Sequence, residues 1–154
     1  MKKKIFPFLL LLFLSSCGYE AKYSKKSKKY YDFSISELSF IGDREVNLRI
    51  KEKLNNYTLN QKDKVFKLKI SSTSEKIVLA KNSSGDPTNF KIETIVNIEV
   101  RINKKLKNNF IIIEDFNYNN NSDKFSLRRY EKEIKNNLAD TVTDKLIFRL
   151  SNIQ

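Results

Sequence analysis

The hydrophobic positions of this chain fall into three patterns: one unbroken apolar run, several alternating stretches and two stripes at helical spacing. The unbroken run is Ile5 to Leu14 (IFPFLLLLFL). Gly18 to Lys29 (GYEAKYSKKSKK) is polar, basic and without period, and reads as a tether. From Tyr30 to Phe40, apolar residues alternate at Tyr31, Phe33 and Ile35, then change phase to Leu38 and Phe40. That pattern predicts a strand with a bulge or an early end. Gly42-Asp43 breaks it, and Asp43 is placed to cap a helix carrying Val46, Ile50, Leu54 and Tyr57 on one face.

Phe66, Leu68 and Ile70 mark a second strand, which continues toward Ile77, Val78 and Leu79. Asn82 to Pro87 (NSSGDP) carries turn chemistry. The clearest alternation follows: Phe90, Ile92, Thr94, Val96, Ile98, Val100 and Ile102 on one face, polar residues and Ile95 on the other. One face is therefore buried and the other wet. Lys104 to Asn109 (KKLKNN) is expected to be a basic hairpin connection. Phe110, Ile112, Phe116 and Tyr118 share a face of a fourth strand that Glu114 interrupts, and Ile111 and Ile113 point the other way. After an Asn-rich loop, a helix is expected from Phe125 to Ser151. Its stripe is Leu127, Tyr130, Ile134, Leu138, Val142, Leu146 and Leu150, widened by Ala139 and Ile147.

The order strand, helix, three strands, helix predicts an α+β fold. It is a two-layer sandwich, with two helices packed on one face of a four-stranded, mostly antiparallel sheet. At 154 residues, 40% of them hydrophobic, the chain supports one modest core. The expected division is a leader over 1–16, a tether over 17–29 and a single α+β domain over 30–154.

The leader reading rests on Lys2-Lys3-Lys4 ahead of ten apolar residues. A membrane span needs about 20, so the run reads as a secretory signal. Leu14-Ser15-Ser16-Cys17 resembles the lipobox of bacterial lipoproteins. That resemblance implies cleavage before Cys17, a diacylglycerol on its thiol and an acyl chain on its freed amine. These covalent chains are the anchor, and no dissociable cofactor is expected. Several acyl chains hold a protein on a membrane effectively permanently. Gly18, where an aspartate would favour the inner membrane, implies sorting to the outer membrane on its periplasmic side.

Charge and missing residue types narrow the chemistry. There is no histidine, no tryptophan and one cysteine. A disulfide within the chain, a Cys/His zinc site and a Ser-His or Cys-His catalytic pair are excluded. Glu114-Asp115 is the nearest approach to a carboxylate pair, but successive strand residues point to opposite faces. Glu131 and Glu133 read as members of ion pairs along the helix surface. No enzyme activity and no metal are expected. The formal net charge is +12, or +9 once Lys2, Lys3 and Lys4 are removed. Such a balance attracts phosphates and acidic headgroups, although scattered lysines equally serve a solvated surface. The densest basic group of the folded part is Lys104, Lys105 and Lys107 with Arg101, a candidate for contact with lipid phosphates. Nucleic acid is not an expected partner of an exported chain. Ile95, Ile111 and Ile113 leave the uncovered face partly apolar, as a protein or lipid partner requires.

Three features together resemble the LPS-assembly lipoproteins (LptE). They are Cys17-Gly18-Tyr19, the order of elements, and the closing stretch Phe116-Asn117-Tyr118, polar loop, Phe125-x-Leu127-x-x-Tyr130 and Asn137-Leu138-Ala139. The resemblance implies a non-enzymatic plug inside a large outer-membrane β-barrel, the LPS translocon LptD. The plug would help that barrel assemble and bind lipopolysaccharide during its insertion in the outer leaflet. A different role is also open: an auxiliary lipoprotein of an envelope ABC lipid transporter.

Overall fold

A computed structural model describes residues 32–59, 62–103 and 105–153. The leader, Cys17, the tether, Tyr31 and Lys104 lie outside these described residues.

Strand β1 (Ser34–Gly42) leads into helix α1 (Arg44–Leu54), which ends in one 3-10 turn at Asn55–Tyr57. Strands β2 (Val65–Lys81), β3 (Pro87–Ile102) and β4 (Lys105–Asn119) form a meander, and α2 (Lys124–Ser151) closes the chain. The sheet order is β1-β2-β3-β4. β1 runs parallel to β2, as a strand–helix–strand crossover requires, and the other two pairings are antiparallel. The fold is α+β, with a mostly antiparallel sheet and both helices on one face.

The local reasons are visible in the residues. Register slips between Ile35 and Glu37, so the bulge accounts for the change of phase. Phe33 and Ile35 are buried, and beyond the bulge Leu38 and Phe40 pack on the same core. At the end of β1, Gly42 has φ +100°, and a Cβ there would lie 1.9 Å from the Ser72 carbonyl oxygen. Only glycine serves at such a backbone. The Asp43 side chain accepts from the Val46 N–H at 3.0 Å, capping α1. Beneath this corner, Asn47 donates to the Ile41 carbonyl at 3.1 Å and accepts from the Ser72 hydroxyl at 2.8 Å. The polar atoms buried where β1, α1 and β2 meet are thus paired.

The main core joins Val46, Ile50 and Leu54 of α1 to Val142, Leu146 and Leu150 of α2. They lie over Phe66, Leu68 and Ile70 of β2 and Val96, Ile98 and Val100 of β3. A smaller cluster joins Phe90, Ile92 and Tyr118 to Leu127, Ile134 and Leu138. The helices are clipped together outside the core. Arg49 donates to both carboxylate oxygens of Asp140, at 2.7 and 2.9 Å, and Lys53 reaches Asp144 at 2.9 Å. This pairing raises the Arg49 pKa further above its usual range, first through the hydrogen bond and then through the charge of Asp140.

Five expectations are corrected. Lys105 to Asn109 are not a connection but the first part of β4. The chain turns at Asn103, whose φ of 50° is left-handed, so the hairpin is far tighter than the basic run implied. The first helix stops at Leu54, and Tyr57 sits in the 3-10 turn, its ring stacked on Phe33 at 4.7 Å between centroids. Tyr130 and Phe116, assigned to buried faces, are 44% and 45% exposed. Both lie at the rim of the smaller cluster, where less of the fold covers them. Glu131 is no partner of helix lysines. It pairs across the fold with Lys76 at 2.6 Å and accepts from the Tyr118 hydroxyl at 2.8 Å.

Candidate functional site

The face of the sheet that no helix covers among the described residues gathers exposed isoleucines and most of the strand charges. Alternation builds it. Because Phe66, Leu68 and Ile70 point into the core, Lys67 and Lys69 point away from it. In register beside them stand Glu37, Ser39 and Ile41 of β1, Arg101, Glu99 and Asn97 of β3, and Leu106 and Ile111 of β4.

At one end of this face, Lys67, Lys69 and Arg101 line a groove of about 510 Å³ with Glu37, Ser39 and Leu68. Lys67 meets Glu37 at 2.7 Å, Lys69 meets Glu99 at 3.4 Å and Arg101 meets Glu99 at 3.2 Å. The hydrogen bond from Lys67 and its charge hold the Glu37 carboxyl below the usual carboxylate range. The middle of the face is apolar: Ile41, Ile111 and Ile113 are 56%, 58% and 55% exposed, with Ile95 half-buried among them. At the far end Glu75, Glu93 and Asp115 occupy one cross-strand row. Like charges directly opposite repel, and Lys91 answers them, bonding Glu93 at 2.5 Å. That contact raises the Lys91 pKa.

The four basic candidates do not form one patch. Arg101 lies on the open face, in register with Leu106. Lys105 pairs with Ile102, which turns it to the opposite face. Lys107 sits where the β3–β4 register slips, and is exposed. Lys104 lies outside the described residues. The cations that the structure gathers around Arg101 are instead Lys67 and Lys69. Their signal was present in the alternation of β2. Glu114 and Asp115 part as alternation requires: Glu114 bonds Lys145 of α2, and Asp115 stays on the open face.

A second concavity, of about 750 Å³, lies between β4 and the start of α2. Phe116, Tyr118 and Tyr130 line it beside the Asn-rich loop. The loop amides are committed to holding the loop. Asn89 donates to Asn119 at 2.6 Å, Asn120 donates to the Pro87 carbonyl at 2.7 Å and Asn121 accepts from the Asp123 N–H at 2.9 Å. Burial, then the Glu131 contact, pushes the Tyr118 hydroxyl well above its ordinary value. Among the described residues no group of three His, Cys, Asp or Glu is placed to hold a metal ion, and no helix is long and apolar enough to cross a membrane.

No protein-family model matches the sequence, and no curated protein does. At the level of fold the chain is similar to rare lipoprotein B from Shewanella oneidensis, with a TM-score of 0.55 and 16% identity, over 75% of this chain and 97% of that one. It is similar also to a minor lipoprotein from Acinetobacter baumannii, with a TM-score of 0.57 and 11% identity, over 77% and 92% of the two chains. The chain has the fold of these bacterial lipoproteins. The alignment covers nearly all of each relative, so the two-layer sandwich is the shared unit.

Proposed function

We propose that this chain is an outer-membrane lipoprotein, anchored through Cys17 on the periplasmic side. In this reading it plugs and helps assemble the β-barrel of the LPS translocon, an LptD-like partner, and binds lipopolysaccharide during its insertion. The observation that carries the reading is the fold held in common with rare lipoprotein B and the minor lipoprotein. The lipobox Leu14-Ser15-Ser16-Cys17 supports it independently. So does the one-sided sheet, since helices seal one face and leave exposed isoleucines and cations on the other. An amphiphile with phosphates and acyl chains matches that pairing, through charge-assisted hydrogen bonds from Arg101, Lys67 and Lys69 and apolar contact with Ile111 and Ile113. Lys105 and Lys107 lie along the neighbouring edge.

Affinity purification of the tagged full chain from envelope membranes tests the reading. Recovery of a large β-barrel partner, and loss of that barrel from the outer membrane on depletion, are expected. Recovery without a barrel, or altered phospholipid traffic with unchanged surface LPS, would overturn it in favour of a transporter auxiliary.

A further inference from the structure

Helix α2 has one side that is covered along its second half and bare along its first. Arg128, Arg129 and Lys132 follow Phe125 by three, four and seven residues, so the four share that side. Continued along α2, the same side reaches Asn136, Ala139 and Asp140. There α1 covers it: Ala139 is buried, and Arg49 bonds Asp140. α1 begins only at Arg44, level with Lys135, which reaches Asp43 at 3.6 Å. Ahead of that point, nothing among the described residues takes the place of α1. Phe125 is 65% exposed, and Arg128, Arg129 and Lys132 are exposed with it.

The charges of this stripe are unanswered. No carboxylate pairs with Arg128, Arg129 or Lys132 among the described residues. Arg129 lies instead 5.9 Å from the centre of the Phe125 ring, so guanidinium and ring are presented together. Glu131 is turned away to Lys76, and Glu133 stands at the flank of the stripe. Where the stripe meets α1, Lys132 shares a concavity of about 470 Å³ with Arg44 and the half-exposed Leu48. The carboxylates there, Glu45 and Glu52, are taken up by Lys135 and Arg49. Unpaired cations around an unburied ring match an acidic bilayer surface. Headgroup phosphates answer the cations, and the ring enters the boundary between headgroups and acyl chains. A soluble anion uses only the first of these.

We propose that Phe125, Arg128, Arg129 and Lys132 dock the domain on a bilayer of acidic phospholipid. The basic side chains lay their stems along the apolar boundary and keep their charges among the headgroups. The open face of the sheet lies on the other side of the sheet from α2, so Ile111, Ile113 and Arg101 stay free for a different contact. This inference goes beyond the translocon reading and does not rest on it.

The chain has no tryptophan, so Phe125→Trp supplies a single fluorescent reporter at an exposed position. The full chain carrying it is mixed with phosphatidylcholine vesicles made with and without phosphatidylglycerol. On the acidic vesicles alone, the indole emission should move to the blue and be quenched by lipids brominated on their acyl chains. Adding Arg128→Gln and Arg129→Gln, both at exposed sites, should lower the docking constant about thirtyfold. Flotation on neutral vesicles reads the acyl anchor by itself, and the stripe is read on acidic ones in either case. Emission that acidic vesicles leave unmoved, that neutral vesicles move equally, or that the two added substitutions leave unchanged overturns the proposal. So does a shift produced by soluble polyglutamate and not by vesicles, which would make the partner an acidic protein.

Discussion

Under both helices, the sheet is sealed. Phe66, Ile70, Val96, Ile98 and Val100 are all out of water, and so are the helix residues that meet them. Toward the Asn82–Asp86 turn, α1 has ended and α2 covers the strands alone. There the helix-side position Val78 is 44% exposed. The sheet is held at that end partly by polar contacts. Lys76 stands 3.8 Å over the centre of the Phe90 ring and bonds Glu131, which also accepts from Tyr118. The difference teaches where stability and exposure have been divided. One half of the sheet is a dry core that tolerates little. The other is a wing whose rings, Phe116 and Tyr130, stay at the rim.

The largest contrast is expected from leucine truncations, one in each half. Leu146→Ala, wholly buried between the helices and the sheet, should cost about 3–4 kcal/mol, and Leu127→Ala in the wing about 2 kcal/mol, because a rim site can collapse around its cavity. Urea unfolding measures both, and equal costs would erase the distinction between the halves.

Tyr118→Phe comes next, at about 1.5 kcal/mol near neutral pH for one hydrogen bond to the Glu131 carboxylate. This position also carries a pH signature. The folded pKa of the phenol is raised above its ordinary value of 10.0. Its contribution is therefore complete below about pH 10 and is lost as pH climbs through the raised value. Wild type should lose stability more steeply above pH 10 than Tyr118→Phe. Parallel alkaline profiles would mean that the wing does not depend on this contact.

The smallest effect on folding is expected on the open face. Ile113→Ser should change stability by less than about 0.5 kcal/mol. Its effect belongs in the recovery of a β-barrel partner on purification, which should fall. Unchanged recovery would set the open face aside as the contact surface.

Much of this architecture is legible in residue spacing. The two faces of β3 follow from strict alternation between Phe90 and Ile102. The change of phase from Ile35 to Leu38 reports the bulge, and Asp43 after Gly42 reports the start of α1. The hairpin after β3 is legible, but its tightness is not. KKLKNN contains one apolar residue, Leu106, so its hydrophobic pattern carries no strand signal. Lys105 to Asn109 are strand because the ladder to β3 makes them so, a tertiary effect that outranks local preference. Glu131 was misread for the same reason: its partners, Lys76 and Tyr118, are distant in sequence, and helical spacing speaks only of neighbours. The groove of Lys67, Lys69 and Arg101 lay within reach. It needed the wet faces of β2 and β3 to be read together, which requires knowing that the two strands are adjacent.

Helix α2 supplies Val142, Leu146 and Leu150 to the main core, and it follows all four strands of the sheet in the sequence. A polypeptide made or exported from its amino end presents β1 first, before its parallel partner β2 exists. The meander can zip as it emerges, but its greasy underside stays bare until the closing helix arrives. Assembly is thus bound to the arrival of α2, and a molecule interrupted ahead of Leu146 offers that underside to chaperones or proteases.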